Sequence, residues 1–186
     1  NSFCTLLGGY CQMTRLTPSR LLPVLVLAAA LCATLAAAKT LVSINFDSSP
    51  KGTYSEAQAR KDFPDYSWGT GFDRGQIVGS TSGDQYLRVT YPKGKTGASA
   101  SGLQVKNTFG GSYTTLWVTF KVRFGGWQGP FDYVKGGKIP GLCGGTCPTG
   151  GKNPDGGFSA RMMWRGGGDA VQYMYYEGQA GTYGDN

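Results

Sequence analysis

Histidine is absent from the 186 residues, which removes Ser-His and Cys-His nucleophilic machinery and most zinc sites in one step. Cysteine is scarce where the chain is expected to fold. Of five cysteines, Cys4, Cys11 and Cys32 lie in an N-terminal leader, leaving Cys143 and Cys147 in the stretch GLCGGTCP. A close pair of this kind in a secreted chain reads as a small loop-closing disulfide, and metal ligation needs more donors than stand nearby. Acidic residues are few, 11 against 18 basic. Removing Arg15 and Arg20 with the leader leaves 16 basic residues and a net charge of +5. No dense Lys/Arg run and no nucleic-acid motif accompanies that charge, so the polyanion it suits best is an extracellular acidic polysaccharide rather than nucleic acid.

Residues 1–12 precede the first methionine and read as translated leader or a cloning artefact. From Met13 come two arginines, an apolar run from Leu21 to Leu35, and then Ala36-Ala37-Ala38. That is the layout of a secretory signal peptide, residues 13–38, cut before Lys39. The apolar run is short of the ~20 residues a membrane span needs. The expected product is therefore a secreted, extracellular protein with no membrane attachment, one domain over residues 39–186, acting as a monomer.

Within that domain glycine is abundant, 31 of the 186 residues, apolar stretches are short, and a helical period appears once, near residues 55–62, with Ser55 placed to cap it and Gln58 three residues on. The rest reads as all-β. Strands are expected at Leu41 to Phe46, Gln76 to Val78, Tyr86 to Tyr91 and Gly102 to Lys106. The longest is expected at Thr114 to Phe124, where Leu116, Val118, Phe120, Val122 and Phe124 alternate with polar neighbours. From Gly125 to Gly157 the pattern dissolves into Gly, Pro and Lys, a long loop of the kind that carries function on a rigid scaffold. The number and spacing of strands suggest a jelly-roll sandwich of two antiparallel sheets, with the final strands expected beyond Asn186.

The most informative stretch is Phe158 to Tyr176, two β-patterned runs around Gly166-Gly167-Gly168-Asp169. Side chains alternate along a strand, so Ser159, Arg161, Met163 and Arg165 share a polar face. Phe158, Ala160, Met162 and Trp164 form the opposite, core-facing side. In the second run Val171, Tyr173 and Tyr175 share a face. If the hairpin pairs with Arg161 and Tyr173 on the same side, one surface carries a hydroxyl, a guanidinium and two phenols. The plain alternative is a solvated sheet face. Trp117, Trp127 and Tyr133 are candidates for stacking on sugar rings, with packing an equal alternative for each.

Three blocks, FDYVKGGKIPGL from Phe131, DGGFSARMMWR from Asp155 and VQYMYY from Val171, occur in an order that resembles polysaccharide lyase family 14. Alginate lyases and a glucuronic-acid-cleaving lyase belong to that family. The resemblance implies a β-jelly-roll and β-elimination of uronic-acid polymers without a metal cofactor. It carries the family's functional positions onto Lys138, Ser159, Arg161, Tyr173 and Tyr175, with Ile139 in place of the usual leucine.

The chemistry asks for such residues. Removing the proton on C5 of a 4-linked uronide builds negative charge beside a carboxylate, which cations must neutralise. Lys138 and Arg161 are candidates, with Gln104, Lys135 and Arg165 as further substrate contacts. A base must take the proton and an acid must protonate the departing O4. Cations beside a phenol favour its ionised form, so Tyr173 or Tyr175 suits the base, and Ser159 would position a sugar hydroxyl or a tyrosine. A non-catalytic carbohydrate-binding module on the same sandwich is the alternative. A glycoside hydrolase ranks last, because Asp155, Asp169 and Glu177 show no pairing of the kind hydrolysis needs.

Overall fold

The computed structural model describes residues 2–3, 39–79, 83–125, 131, 133 and 136–185. Residues 13–38, expected to be a signal peptide, lie outside the described residues, as do Lys135 and Trp127. Among the described residues nine strands form two antiparallel sheets, accompanied by one α-helix. The strands are β1 (Ser2–Phe3), β2 (Gly52–Thr53), β3 (Tyr66–Thr70), β4 (Gly75–Gly79), β5 (Gln85–Val89), β6 (Gln104–Asn107), β7 (Gly137–Gly145), β8 (Gly157–Trp164) and β9 (Ala170–Tyr175). The larger sheet runs β3-β6-β1-β7-β8-β9 and the smaller β2-β4-β5. The all-β expectation thus holds.

The helix α1 (Glu56–Asp62) starts where its cap predicts: Ser55 Oγ accepts from the Gln58 N–H at 3.1 Å. Gln58 does not reach back to close the box. Its side chain donates forward to Asp62 at 2.9 Å, and the same carboxylate accepts from the Tyr54 hydroxyl at 2.8 Å. That fastens α1 over the main core. Ile77 and Leu87 of the small sheet, Leu103 and Val105 by β6, and Phe46, Tyr54 and Phe63 bury one another there.

Two expected strands are not strands. Residues 41–46 and 114–124 have no ladder partner among the described residues. Their alternation still shows: Ile44 and Phe46 are buried in the main core and Phe120 packs against it, whereas Trp117 points to solvent. Period 2 reports which side chains face the protein. It does not report whether a second backbone lies alongside to accept hydrogen bonds.

The converse error falls on residues 125–157, expected to be one loop. It contains β7, the nine-residue strand that pairs with β1 and β8. Its glycines look like loop punctuation but are there for close packing. A Cβ on Gly141 would stand 2.1 Å from the Ala160 carbonyl oxygen, and one on Gly137 2.2 Å from the Trp164 ring. Both are positions where β8 leaves no room for a side chain.

The small sheet covers the larger one only partly. Val105 of β6 is in the main core, whereas Phe158 on the same sheet face of β8 is 45% exposed. The side of β8 read as core-facing is therefore the more open one over Phe158, Ala160 and Met162, and the side read as polar is buried. Only Trp164 meets the expectation, packed edge-on among Tyr91, Phe124 and Phe131.

Candidate active site

Strands β8 and β9 pair Ser159 with Tyr175, Arg161 with Tyr173 and Met163 with Val171. Directly opposed residues share a face. The hydroxyl, the guanidinium and the two phenols therefore stand together, in the register the sequence suggested.

Lys138 reaches this face through an irregularity in β7. It pairs with Met163, while Gly141 pairs with Arg161, so three steps on β7 match two on β8. The extra residue falls at Ile139–Pro140, where a proline's missing N–H is tolerated. In a regular strand Lys138 and Gly141 would point to opposite faces. The bulge reverses that and aims Lys138 at the site, and its ammonium sits 5.0 Å from the centre of the Tyr173 ring.

Most of the cluster is closed to solvent, although Lys138 at its edge is exposed. Ser159 and Tyr175 have no exposed surface, Arg161 retains 5% and Tyr173 8%. The two tyrosines nonetheless lie apart from the main core, in a small cluster with Met163 and Val171. Their hydroxyls face each other at 3.3 Å, with rings edge-to-face. The Tyr175 oxygen accepts from the Gly151 N–H and the Tyr173 oxygen from the Gly184 N–H, each at 3.1 Å. Arg161 donates to the Thr149 hydroxyl at 2.9 Å, and Ser159 donates to the Pro148 carbonyl at 2.8 Å. Ser159 therefore holds the loop after Cys147 rather than a tyrosine or an open sugar position. Cys143 and Cys147 form the expected disulfide.

With that arrangement in place, the comparison with known families is decisive: the model for polysaccharide lyase 14 matches residues 79–184, more than half of the chain. The chain belongs to the polysaccharide lyase 14 family. Comparison with curated proteins and with solved structures gives no match. The matched span runs from the end of β4 past β9 and contains Lys138, Ser159, Arg161, Tyr173 and Tyr175.

The electrostatics of this cluster separate the two phenols. Tyr173 is displaced upward, first by burial and then by its hydrogen bond and charge interaction with Tyr175. Burial also pushes Tyr175 upward, but the hydrogen bond from Tyr173, the Gly151 and Gly184 N–H groups and the Lys138 charge outweigh it, and the net shift is downward. One tyrosine thus keeps its proton while its neighbour is the readier to lose one. Lys138 and Arg161 are both lowered, chiefly by desolvation, and Lys138 further by the Arg161 and Arg165 charges but opposed by Tyr175. Among the described residues no group of three or more Cys, Asp or Glu side chains is placed to hold a metal ion.

Other expected residues fall at varying distances. Arg165 is not a solvated turn residue: its guanidinium lies 5.5 Å from the centre of the Tyr173 ring. Gln104 is on β6, and the register explains its relation to the site. Lys106 opposes Phe3, Phe3 opposes Gly141, and Gly141 opposes Arg161. Gln104, two residues from Lys106, therefore shares the sheet face of Arg161, three strand spacings (roughly 14 Å) across the sheet and two residues along it. Tyr133 packs against Phe124 and Phe131.

The sequence reading missed Lys106 and Trp68. They oppose each other across β6 and β3 on this same face, and Trp68 is 46% exposed. Thr149 and the two N–H groups on the phenols were also missed, since nothing in a Thr-Gly-Gly run marks a hydrogen-bonding role.

Proposed function

We propose that the chain is a secreted polysaccharide lyase that cleaves 4-linked polyuronates, alginate or glucuronan, by β-elimination. The observation that carries this reading is the meeting of Lys138 and Arg161 with a hydrogen-bonded tyrosine pair on one sheet face. Arg161 and Lys138 neutralise the uronate carboxylate, which makes the C5 hydrogen more acidic. Tyr175, as phenolate, takes that proton. The C5 electron pair forms the C4=C5 double bond and the C4–O4 bond breaks. Tyr173, still protonated, gives its proton to O4. A proton passing from Tyr175 to Tyr173 across their 3.3 Å contact restores the starting state. Opposed displacements of neighbouring acids are the pattern by which one site supplies both base and acid.

Tyr175 has no exposed surface and Tyr173 little, so substrate entry requires the segment around Gly184 to move off the two phenols. That segment is attached by two backbone hydrogen bonds between Met174 and Asp185 and by the Tyr176 hydroxyl donating to the Asp185 carboxylate. Secretion is supported by the Cys143–Cys147 crosslink, which suits an oxidising compartment, and by the leader, whose removal would also take β1 from the larger sheet. The test is incubation with alginate and with glucuronan while following ultraviolet absorbance of the new double bond. Growth of absorbance supports the lyase. Reducing ends without absorbance indicate a hydrolase, and retention on the polymer without cleavage indicates a binding module.

A further inference from the structure

The loop after the disulfide touches three residues of the site in sequence. Pro148 accepts from Ser159, Thr149 accepts from Arg161, and Gly151 donates to Tyr175. The segment is fixed at its start: Cys147 is covalently joined to Cys143, which lies directly opposite Ser159 in the β7–β8 register. Cys147 also has φ +52°, a left-handed conformation that a non-glycine residue leaves unless held. Its N–H donates to the Gly144 carbonyl at 3.1 Å, closing the turn. Pro148 is fully buried beneath these contacts.

We infer that residues 147–151 are a crosslinked clamp, and that Thr149 within it is a positioning residue that orients the Arg161 guanidinium toward the substrate carboxylate. The inference rests on the lyase reading for its kinetic consequence, while the geometry of the clamp stands without it. Thr149 does not touch the reacting atoms. It holds the Nη2 end of the guanidinium in a set direction, and the crosslink keeps the loop in place to do so. Oxidation of the cysteine pair thereby becomes a condition for full activity of the site.

The variants are Thr149→Val, Thr149→Ser and the double variant Cys143→Ser/Cys147→Ser, each made in the full chain and checked for folding by circular dichroism. Thr149→Val removes the acceptor and keeps the shape. It is expected to lower kcat/KM on polyuronate about tenfold or more, the size of a lost charge-assisted hydrogen bond, with the loss mostly in kcat because charge on the carboxylate grows in the transition state. Thr149→Ser is expected to restore it. A merely structural threonine would lower thermal stability and leave kcat of the folded protein unchanged, which would overturn the inference.

A second readout needs no substrate: tyrosinate absorbance followed through an alkaline titration. The double cysteine variant is expected to ionise its early-titrating tyrosine at higher pH than the parent, because the Gly151 N–H is no longer held against Tyr175. The charged or titratable groups facing that phenol are Tyr173, Lys138 and Arg161, and all three are retained. An unchanged titration in a folded double variant would overturn the clamp. Absence of cleavage by the parent protein would instead count against the lyase reading and leave the titration to decide the clamp.

Discussion

Replacing each phenol in turn gives the most direct test of the division of labour within the tyrosine pair. Tyr175→Phe removes an oxygen that accepts from the Gly151 N–H at 3.1 Å and faces the Tyr173 hydroxyl at 3.3 Å. It leaves a buried donor without its acceptor, which costs about 1–3 kcal/mol. For a domain of this size each kcal/mol lowers Tm by about 2–4 °C. Loss of a positioned base costs about 10²–10⁴ in rate, far more than the loss of stability would remove from the folded population at moderate temperature. Tyr173→Phe also strands a donor, the Gly184 N–H, but removes the acid rather than the base. The expected outcome is a larger fall in kcat for Tyr175→Phe than for Tyr173→Phe, at comparable losses in Tm. The assay is initial-rate ultraviolet absorbance on polyuronate beside thermal unfolding of each variant. A Tyr175→Phe enzyme that keeps more than a tenth of parental kcat, or a Tyr173→Phe enzyme that is clearly the worse, refutes the assignment.

The rate should rise with pH as Tyr175 ionises and fall as Lys138 loses its proton, both limbs lying below the ordinary phenol and ammonium values because both groups are lowered; a pH–kcat/KM profile shows it. For stability the signs differ. The lowered Tyr175 contributes stability above its unfolded value that is lost as pH falls through its folded one, whereas the raised Tyr173 contributes stability below its unfolded value that is lost as pH rises through its folded one; thermal unfolding against pH in each Phe variant separates them. Gly141→Ala should destabilise by about 1–3 kcal/mol or more, since its Cβ would meet backbone at 2.1 Å, and denaturant unfolding measures it. Lys106→Ala and Trp68→Ala should raise KM about two- to tenfold with kcat unchanged if the polymer lies across the sheet, the Lys106 effect shrinking at high salt; steady-state kinetics at two salt concentrations decide it.

How much of this was legible in the sequence depended on whether the information was local. The β8–β9 hairpin was, because a short glycine turn fixes the register of two flanking strands, and the alternation then fixes which side chains meet. The helix cap at Ser55 was local as well. The position of β7 was not. Its Gly and Pro residues answer to the Ala160 backbone and the Trp164 ring, which are distant in sequence, so read alone they signalled a loop. The direction in which Lys138 points was equally hidden, since it turns on a bulge that appears only when β7 is laid against β8. The two faces of β8 were interchanged for a related reason. Polarity suggested that Ser159 and Arg161 face solvent, but burial is decided by what packs on each side, and the loop after Cys147 covers them while the small sheet stops short of Phe158.

That burial is also what the chemistry needs. Burying Arg161 beside Lys138 and Arg165 costs stability, and the lowering of Arg161 by desolvation is the sign of that cost. The hydrogen bond to Thr149 and the Tyr173 ring, which faces both Lys138 and Arg165, offset part of it without neutralising any charge. In a solvated cleft the same cations would be screened and would pull only weakly on a substrate carboxylate. In a water-poor one they act at a much lower effective dielectric, and they need no rearrangement when the carbanion forms. The phenol pair gains from the same setting. In bulk water two neighbouring tyrosines would titrate nearly alike; here the hydrogen bond from Tyr173, then the Gly151 and Gly184 N–H groups and the Lys138 charge, favour ionised Tyr175 and set the two apart. On the lyase reading, a row of polar residues that looks like a solvated strand face would serve as base, acid and carboxylate clamp because a crosslinked loop packs over Ser159, Arg161 and Tyr175.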